Sequence, residues 1–218
     1  MKKILLILEM ANNHMGDFKH AKKIIDSFFS LKKKYNKEVD FAFKYQFRDL
    51  DTFINYNYAH YNKKGVERFV STRLNSNQWM KLINYTKKKF KIICTAFDEN
   101  SVKKINDMKF KYLKIASCSM NDWPLLEVIS KTNKLPIICS LGGASLNDIR
   151  KTVSFFESKK INVKFLYCVA KYPTEKENLN LSYFKYLKDI YGDKICGFST
   201  HENPDEKNIQ LLEDIGFS

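Results

Sequence analysis

Seven short apolar runs punctuate the chain, at residues 4–11, 39–45, 92–97, 112–116, 136–140, 163–169 and 195–198. Each is four to eight residues long and mostly rich in Ile, Val, Phe or Cys. Near-continuous apolar runs of this length suit parallel strands buried on both faces. Four cysteine-to-cysteine intervals, 24, 21, 29 and 28 residues from Cys94 through Cys118, Cys139 and Cys168 to Cys196, repeat the same spacing. Between the runs lie helical patterns. Residues 17–31 align Ala21, Ile24, Ile25 and Phe28 on one face, and 122–132 do so with Leu125, Leu126, Val128 and Ile129. Residues 145–158 follow with Ile149, Val153 and Phe156, Ser145 reading as the N-cap and Asp148 three residues on, and 205–214 carry a fourth pattern behind Pro204.

Strands alternating with helices predict a parallel α/β protein. The period and the count of seven units fit an incomplete TIM-type (βα)8 barrel better than a doubly wound sheet. No GxGxxG follows the first run, where the chain reads Glu9-Met-Ala-Asn-Asn-His. The whole of 1–218 is expected as one barrel domain, with 47–75 as a long βα loop bearing Tyr56, Tyr58, His60 and Tyr61. The seventh unit finishes near the last residue, so the eighth strand is expected to be missing, as from a truncated reading frame.

Composition narrows the function classes. Hydrophobic residues at 44% and aromatics at 14% supply a core. No apolar run reaches the roughly 18–20 residues of a membrane helix, and the apolar start is too short for a signal peptide, so a cytoplasmic location and no membrane partner are expected. The net charge of +14 admits an anionic partner. Lysine is spread along the chain and arginine occurs only at 48, 68, 73 and 150, which argues against a specific nucleic-acid interface. An odd set of five cysteines without CxxC spacing indicates neither a disulfide framework nor a zinc site.

In a barrel, the C-terminal ends of the strands carry the site. Reading them in order gives Glu9 with Asn12, Asn13 and His14, then Lys44 with Gln46, Thr95 with Asp98, and Lys114 with Ser117 and Ser119. Ser140, then Lys171 with Tyr172, and Ser199 with His201 complete the series. Lysines inside apolar strands are costly unless they meet an anion, and Lys44 and Lys114 occupy equivalent places in the repeat. With the neighbouring hydroxyls they make a phosphate or carboxylate pocket; the competing reading is that each snorkels out of its strand end. His201 suits a metal ligand or a structural role.

The chain resembles the sialic acid synthase family at six stretches in family order: Glu9-Met-Ala-Asn-Asn-His-Met-Gly-Asp, Phe43-Lys-Tyr-Gln-Phe, Cys94-Thr-Ala-Phe-Asp-Glu, Lys114-Ile-Ala-Ser-Cys-Ser, Tyr167-Cys-Val-Ala-Lys-Tyr-Pro-Thr and Gly197-Phe-Ser-Thr-His-Glu. The resemblance implies condensation of phosphoenolpyruvate with an N-acylated aminosugar in a typically homodimeric enzyme, assisted by a divalent metal, manganese or magnesium. It implies Glu9, Lys44 and Lys114 as catalytic groups. It places Thr95, Ser117, Ser140 and Ser199 around phosphoenolpyruvate, Gln46 and Tyr172 at the sugar, and His201 on the metal. The family's second metal histidine belongs to strand eight, so weak metal binding and impaired activity are expected, and its C-terminal antifreeze-like domain is expected to be absent. Ala170 stands where many members carry asparagine. Two other readings compete: a non-catalytic anion-binding remnant, and another phosphoenolpyruvate-dependent synthase of 3-deoxy sugar acids.

Overall fold

The computed structural model describes residues 3–199 and 201. The chain divides into two compact units, Met1–Leu113 with Thr132–Leu135, and Lys114–Lys131 with Pro136–Ser218. Both are built from parallel strands and helices in alternation, the architecture of an incomplete TIM-type α/β barrel.

In the first unit, β1 (Ile4–Glu9), β2 (Val39–Phe47) and β3 (Lys91–Ala96) pair in parallel and in chain order. The register sets Glu9 opposite Lys44 and Gln46 opposite Thr95. Helix α1 (Phe18–Tyr35) starts where the Asp17 carboxylate accepts the Lys19 N–H at 2.7 Å, and it buries Ala21 and Ile25. One face of β2 carries Phe43, Tyr45 and Phe47, all buried. Phe43 lies 5.4 Å from Phe90, and Phe47 lies 5.1 Å from Trp79 in edge-on contact. The Tyr45 hydroxyl is 2.6 Å from Thr86 Oγ1, which satisfies both polar groups inside this core.

The segment 47–75, expected as a loop, contains helix α2 (Leu50–Phe53), a 3-10 segment (Tyr56–Asn62) and helix α3 (Lys63–Ser71). Asparagine caps explain the difference: Asn55 accepts from Asn57 N–H and Asn62 from Gly65 N–H. None of the residues of α3 is buried, so no long apolar stripe advertises it. Helix α4 (Ser76–Lys87) begins with a reciprocal Asn75–Gln78 capping box and buries Leu82 and Ile83. Helix α5 (Glu99–Asp107) is capped by Asp98. Strand β4 (Tyr112–Ile115) carries the chain from the first unit into the second.

In the second unit, β5 (Ile137–Ser140), β6 (Val163–Cys168) and β7 (Ile195–Ser199) again pair in parallel and in chain order. Helix α6 (Trp123–Thr132) buries Leu125, Leu126 and Ile129. Helix α7 (Leu146–Ser158) carries the expected box, in which Ser145 and Asp148 cap each other, and buries Ile149, Val153 and Phe156. Helix α8 (Leu181–Tyr191) starts at Asn180 and buries Leu187. The helical pattern at 205–214 lies outside the described residues. The five cysteines are free thiols, with Cys94, Cys139 and Cys168 buried as small apolar groups.

Candidate functional site

Strand alternation decides which residues of β2 can reach a ligand. Tyr45 and Phe47 face the helices, so Lys44 and Gln46 stand on the opposite face. The Lys44 ammonium forms an ion pair with Glu9, and it also donates to Thr95 Oγ1 at 3.3 Å. The other Glu9 oxygen accepts the Ala11 N–H at 2.9 Å. Ala11 has φ +44°, a left-handed conformation that an alanine enters at a cost. The carboxylate therefore helps to hold the sharp turn that follows β1. In this unit the expected residues Glu9, Lys44 and Thr95 come together as a carboxylate, a cation and a hydroxyl.

Gln46 meets a residue that the sequence reading passed over. Arg48 Nη2 donates to Gln46 Oε1 at 2.8 Å, and its guanidinium lies 3.7 Å above the Phe97 ring and 4.7 Å from that of Phe69. The signal was the alternation 44, 46, 48 along one strand face, which runs on past the end of β2. Gln46 and Arg48 line a cavity of about 250 Å³ together with Asn12, His14, Arg73 and Trp79. His14 is buried; its Nδ1 accepts the Gly16 N–H at 3.1 Å, and burial lowers its pKa. Asp98 serves structure: it caps α5 through the Ser101 N–H and accepts the Asp49 N–H at 2.7 Å.

In the second unit Lys114 is 5% exposed. Its ammonium donates to Ser140 Oγ at 2.5 Å and to the Ile115 carbonyl at 2.9 Å. No carboxylate forms an ion pair with it among the described residues. Desolvation drives its pKa down to about 8. An ammonium so placed is a cation in want of an anion. Ser117 Oγ accepts the Gly142 N–H at 2.9 Å, which ties the turn after β4 to the turn after β5. Burial holds the Cys139 thiol neutral, its pKa pushed up to about 12, so it is no nucleophile. Ser199 ends β7, opposite Cys168. Tyr172 is 71% exposed, and its hydroxyl lies 3.0 Å from His201 Nε2 with the rings 4.1 Å apart.

The implied divalent metal finds one imidazole here, that of His201. Among the described residues no three His, Cys, Asp or Glu side chains gather into a possible metal site. The described residues therefore do not make up such a site by themselves.

Comparison with known proteins agrees with the motif order. Residues 31–211 match the NeuB family. The chain is 30% identical over 216 residues to an N,N'-diacetyllegionaminic acid synthase of Campylobacter jejuni, covering 92% of this chain and 61% of that protein. A Chromobacterium violaceum structure described as a spore coat polysaccharide biosynthesis protein E superposes with a TM-score of 0.88 at 41% identity, over 98% of this chain and 64% of that one. The N-acetylneuraminic acid (sialic acid) synthetase of Leptospira borgpetersenii, solved with citrate, gives a TM-score of 0.80 at 27% identity, over 97% and 70% of the two chains. The chain spans little more than half the length of the curated relatives it matches, 55% and 61% for two of them. Among the described residues no helix is long and apolar enough to cross a membrane. A family match over most of the chain, relatives at this identity and the parallel βα architecture agree: the chain belongs to the NeuB family.

Proposed function

We infer that the chain takes part in a sialic-acid-type synthesis, condensing phosphoenolpyruvate with an N-acylated aminosugar to give a nonulosonate. The single observation that carries this reading is Lys114, an ammonium buried without a carboxylate and hydrogen-bonded to a serine hydroxyl at a strand end. Such a group is stabilised when a multiply charged acid arrives. Lys44 with Thr95 offers a second cation and hydroxyl at the corresponding ends of β2 and β3. Ser117 and Ser199 add hydroxyls near the ends of β4 and β7.

In this reading the two lysines and the four hydroxyl residues Thr95, Ser117, Ser140 and Ser199 bind the phosphate and carboxylate of phosphoenolpyruvate and hold its C3 toward the aldehyde carbon of the open-chain sugar. C3 attacks that carbonyl carbon, and the carbonyl oxygen takes up a proton. Water adds at C2, and phosphate leaves. Glu9, held by Lys44 and the Ala11 N–H, lies beside the reacting carbons and steers the enol or the water. Gln46 and Tyr172 contact the sugar. A divalent ion, manganese or magnesium when bound, would polarise the aldehyde oxygen. The enzyme in this reading is cytoplasmic, and homodimeric as the family resemblance implies.

The test is phosphate release by the full chain, supplied with phosphoenolpyruvate, N-acetylmannosamine or its 6-phosphate, and manganese or magnesium. Release that requires both substrates is expected. Phosphoenolpyruvate binding without any release overturns the synthase reading in favour of an anion-binding remnant.

A further inference from the structure

We propose that Arg48 is a positioning residue that fixes which end of the Gln46 amide is offered to substrate, and so selects an oxygen acceptor on the sugar. The inference rests on the reading of Gln46 as a sugar contact.

A glutamine amide carries an acceptor oxygen and a donor nitrogen, and rotation of half a turn about its last bond exchanges them. Unrestrained, it recognises an acceptor and a donor equally well. A guanidinium has donors only. With Arg48 Nη2 at 2.8 Å, the atom of Gln46 that faces it has to be the oxygen. The NH2 group is then the end left for a ligand, and it pairs with a carbonyl or hydroxyl oxygen, such as the oxygen of an N-acyl group. A reversed amide sets N–H against N–H.

Arg48 can impose this choice because it is itself held. Its guanidinium lies 3.7 Å from the Phe97 ring centre, 4.7 Å from Phe69 and 5.7 Å from Phe53. Those rings come from the turn after β3, from α3 and from α2. The helices of segment 47–75 thus supply two of the three rings that hold the arginine. The next residue is anchored as well, since the Asp49 N–H donates to Asp98 at 2.7 Å. Gln46, Arg48, Asp49 and Phe69 all line the same cavity of about 250 Å³, a volume near the lower end for small-molecule sites.

The test uses the full chain and has two readouts. In the ligand-free protein, the Gln46 side-chain NH2 pair is assigned in a 15N–1H spectrum by its loss in Gln46→Glu. Arg48→Met is expected to move that pair to the position of a solvent-exposed glutamine; a pair that stays in place overturns the proposal. In turnover, Arg48→Met is expected to raise KM for the aminosugar about twofold to tenfold, because the freed amide has to be ordered by the sugar itself, with kcat and KM for phosphoenolpyruvate within about twofold. Equal loss in all three constants overturns it. The double variant Gln46→Ala/Arg48→Met is expected to be no worse for the sugar than Gln46→Ala alone, and additive losses overturn it. Should Arg48→Met not fold, Arg48→Lys keeps a cation between the rings without the planar fork and is expected to show the same shifts more weakly. A moved amide pair in a chain that neither binds nor turns over sugar supports the role of Arg48 and overturns the sugar reading of Gln46, so the two failures are told apart.

Discussion

Glu9 and Lys44 stand directly opposite each other on neighbouring parallel strands, and their side chains form an ion pair at the strand ends. The pairing neutralises part of the positive charge of Lys44 while it holds the carboxylate in place. Glu9→Gln removes the negative charge but keeps an oxygen for the Ala11 N–H. We expect turnover to fall by about 10²–10³-fold, the scale of a lost acid–base or steering group. Phosphoenolpyruvate affinity is expected to hold or tighten, because the cation is no longer shared. Steady-state kinetics and calorimetry check this, and full turnover in Glu9→Gln would exclude the role.

Lys114 predicts a pH dependence of anion binding. Its pKa of about 8 means that the ammonium is lost as pH rises through that value. Sulfate keeps its charge over the whole range, so a pH dependence of its binding comes from the protein. Its affinity is expected to be flat below pH 7 and to fall about tenfold for each unit above pH 8. Lys114→Met is expected to bind weakly at every pH. A wild-type affinity that holds level from pH 7 to 9.5 would remove Lys114 from the anion site.

The fold was legible where a short apolar run recurred, because a strand buried on both faces leaves that signature. Strand β3 was expected at 92–97 and runs Lys91–Ala96. The Ser145–Asp148 box was legible because capping is local chemistry. Helices α2 and α3 were not, since α2 is four residues long and α3 buries none of its side chains. In the site, Lys114 was found because a lysine inside an apolar strand is anomalous in one dimension. The ring contacts of Arg48 draw on Phe53, Phe69 and Phe97, which no periodicity links. The role of Gly142 also stayed hidden, because only the structure brings it against Ser117 and Cys168.

Gly142 gives the next prediction. A Cβ there would lie 2.9 Å from Ser117 Oγ and 3.0 Å from Cys168 Sγ, too close for either to stay where it is. Gly142→Ala is expected to destabilise the chain by about 1–3 kcal/mol, the usual scale of overpacking. Displacing Ser117 should also weaken anion binding. Combining Gly142→Ala with Ser117→Gly should recover part of the stability, since one of the two clashes is gone. Denaturant melts of the two single variants and the double variant decide, and strictly additive losses would disprove the contact.

Lys114 also ties function to stability. The folded chain holds it at a pKa of about 8 against an ordinary value of 10.5, so between those pH values the unfolded chain keeps a proton that the folded chain has released. Stability from this group therefore rises with pH across that window, and the full penalty of the buried ammonium is present below it. Lys114→Met removes the charge and nearly preserves the volume. At pH 7 it is expected to stabilise the ligand-free chain by about 1–3 kcal/mol, offset in part by the loss of the hydrogen bonds to Ser140 and the Ile115 carbonyl. The gain over wild type should shrink between pH 8 and 10.5, because wild type sheds its penalty there. Paired urea melts at pH 7 and 9.5 measure both effects. A variant less stable than wild type at pH 7 would mean that the ammonium is already compensated in the free protein, and an anion at this lysine would lose its energetic basis.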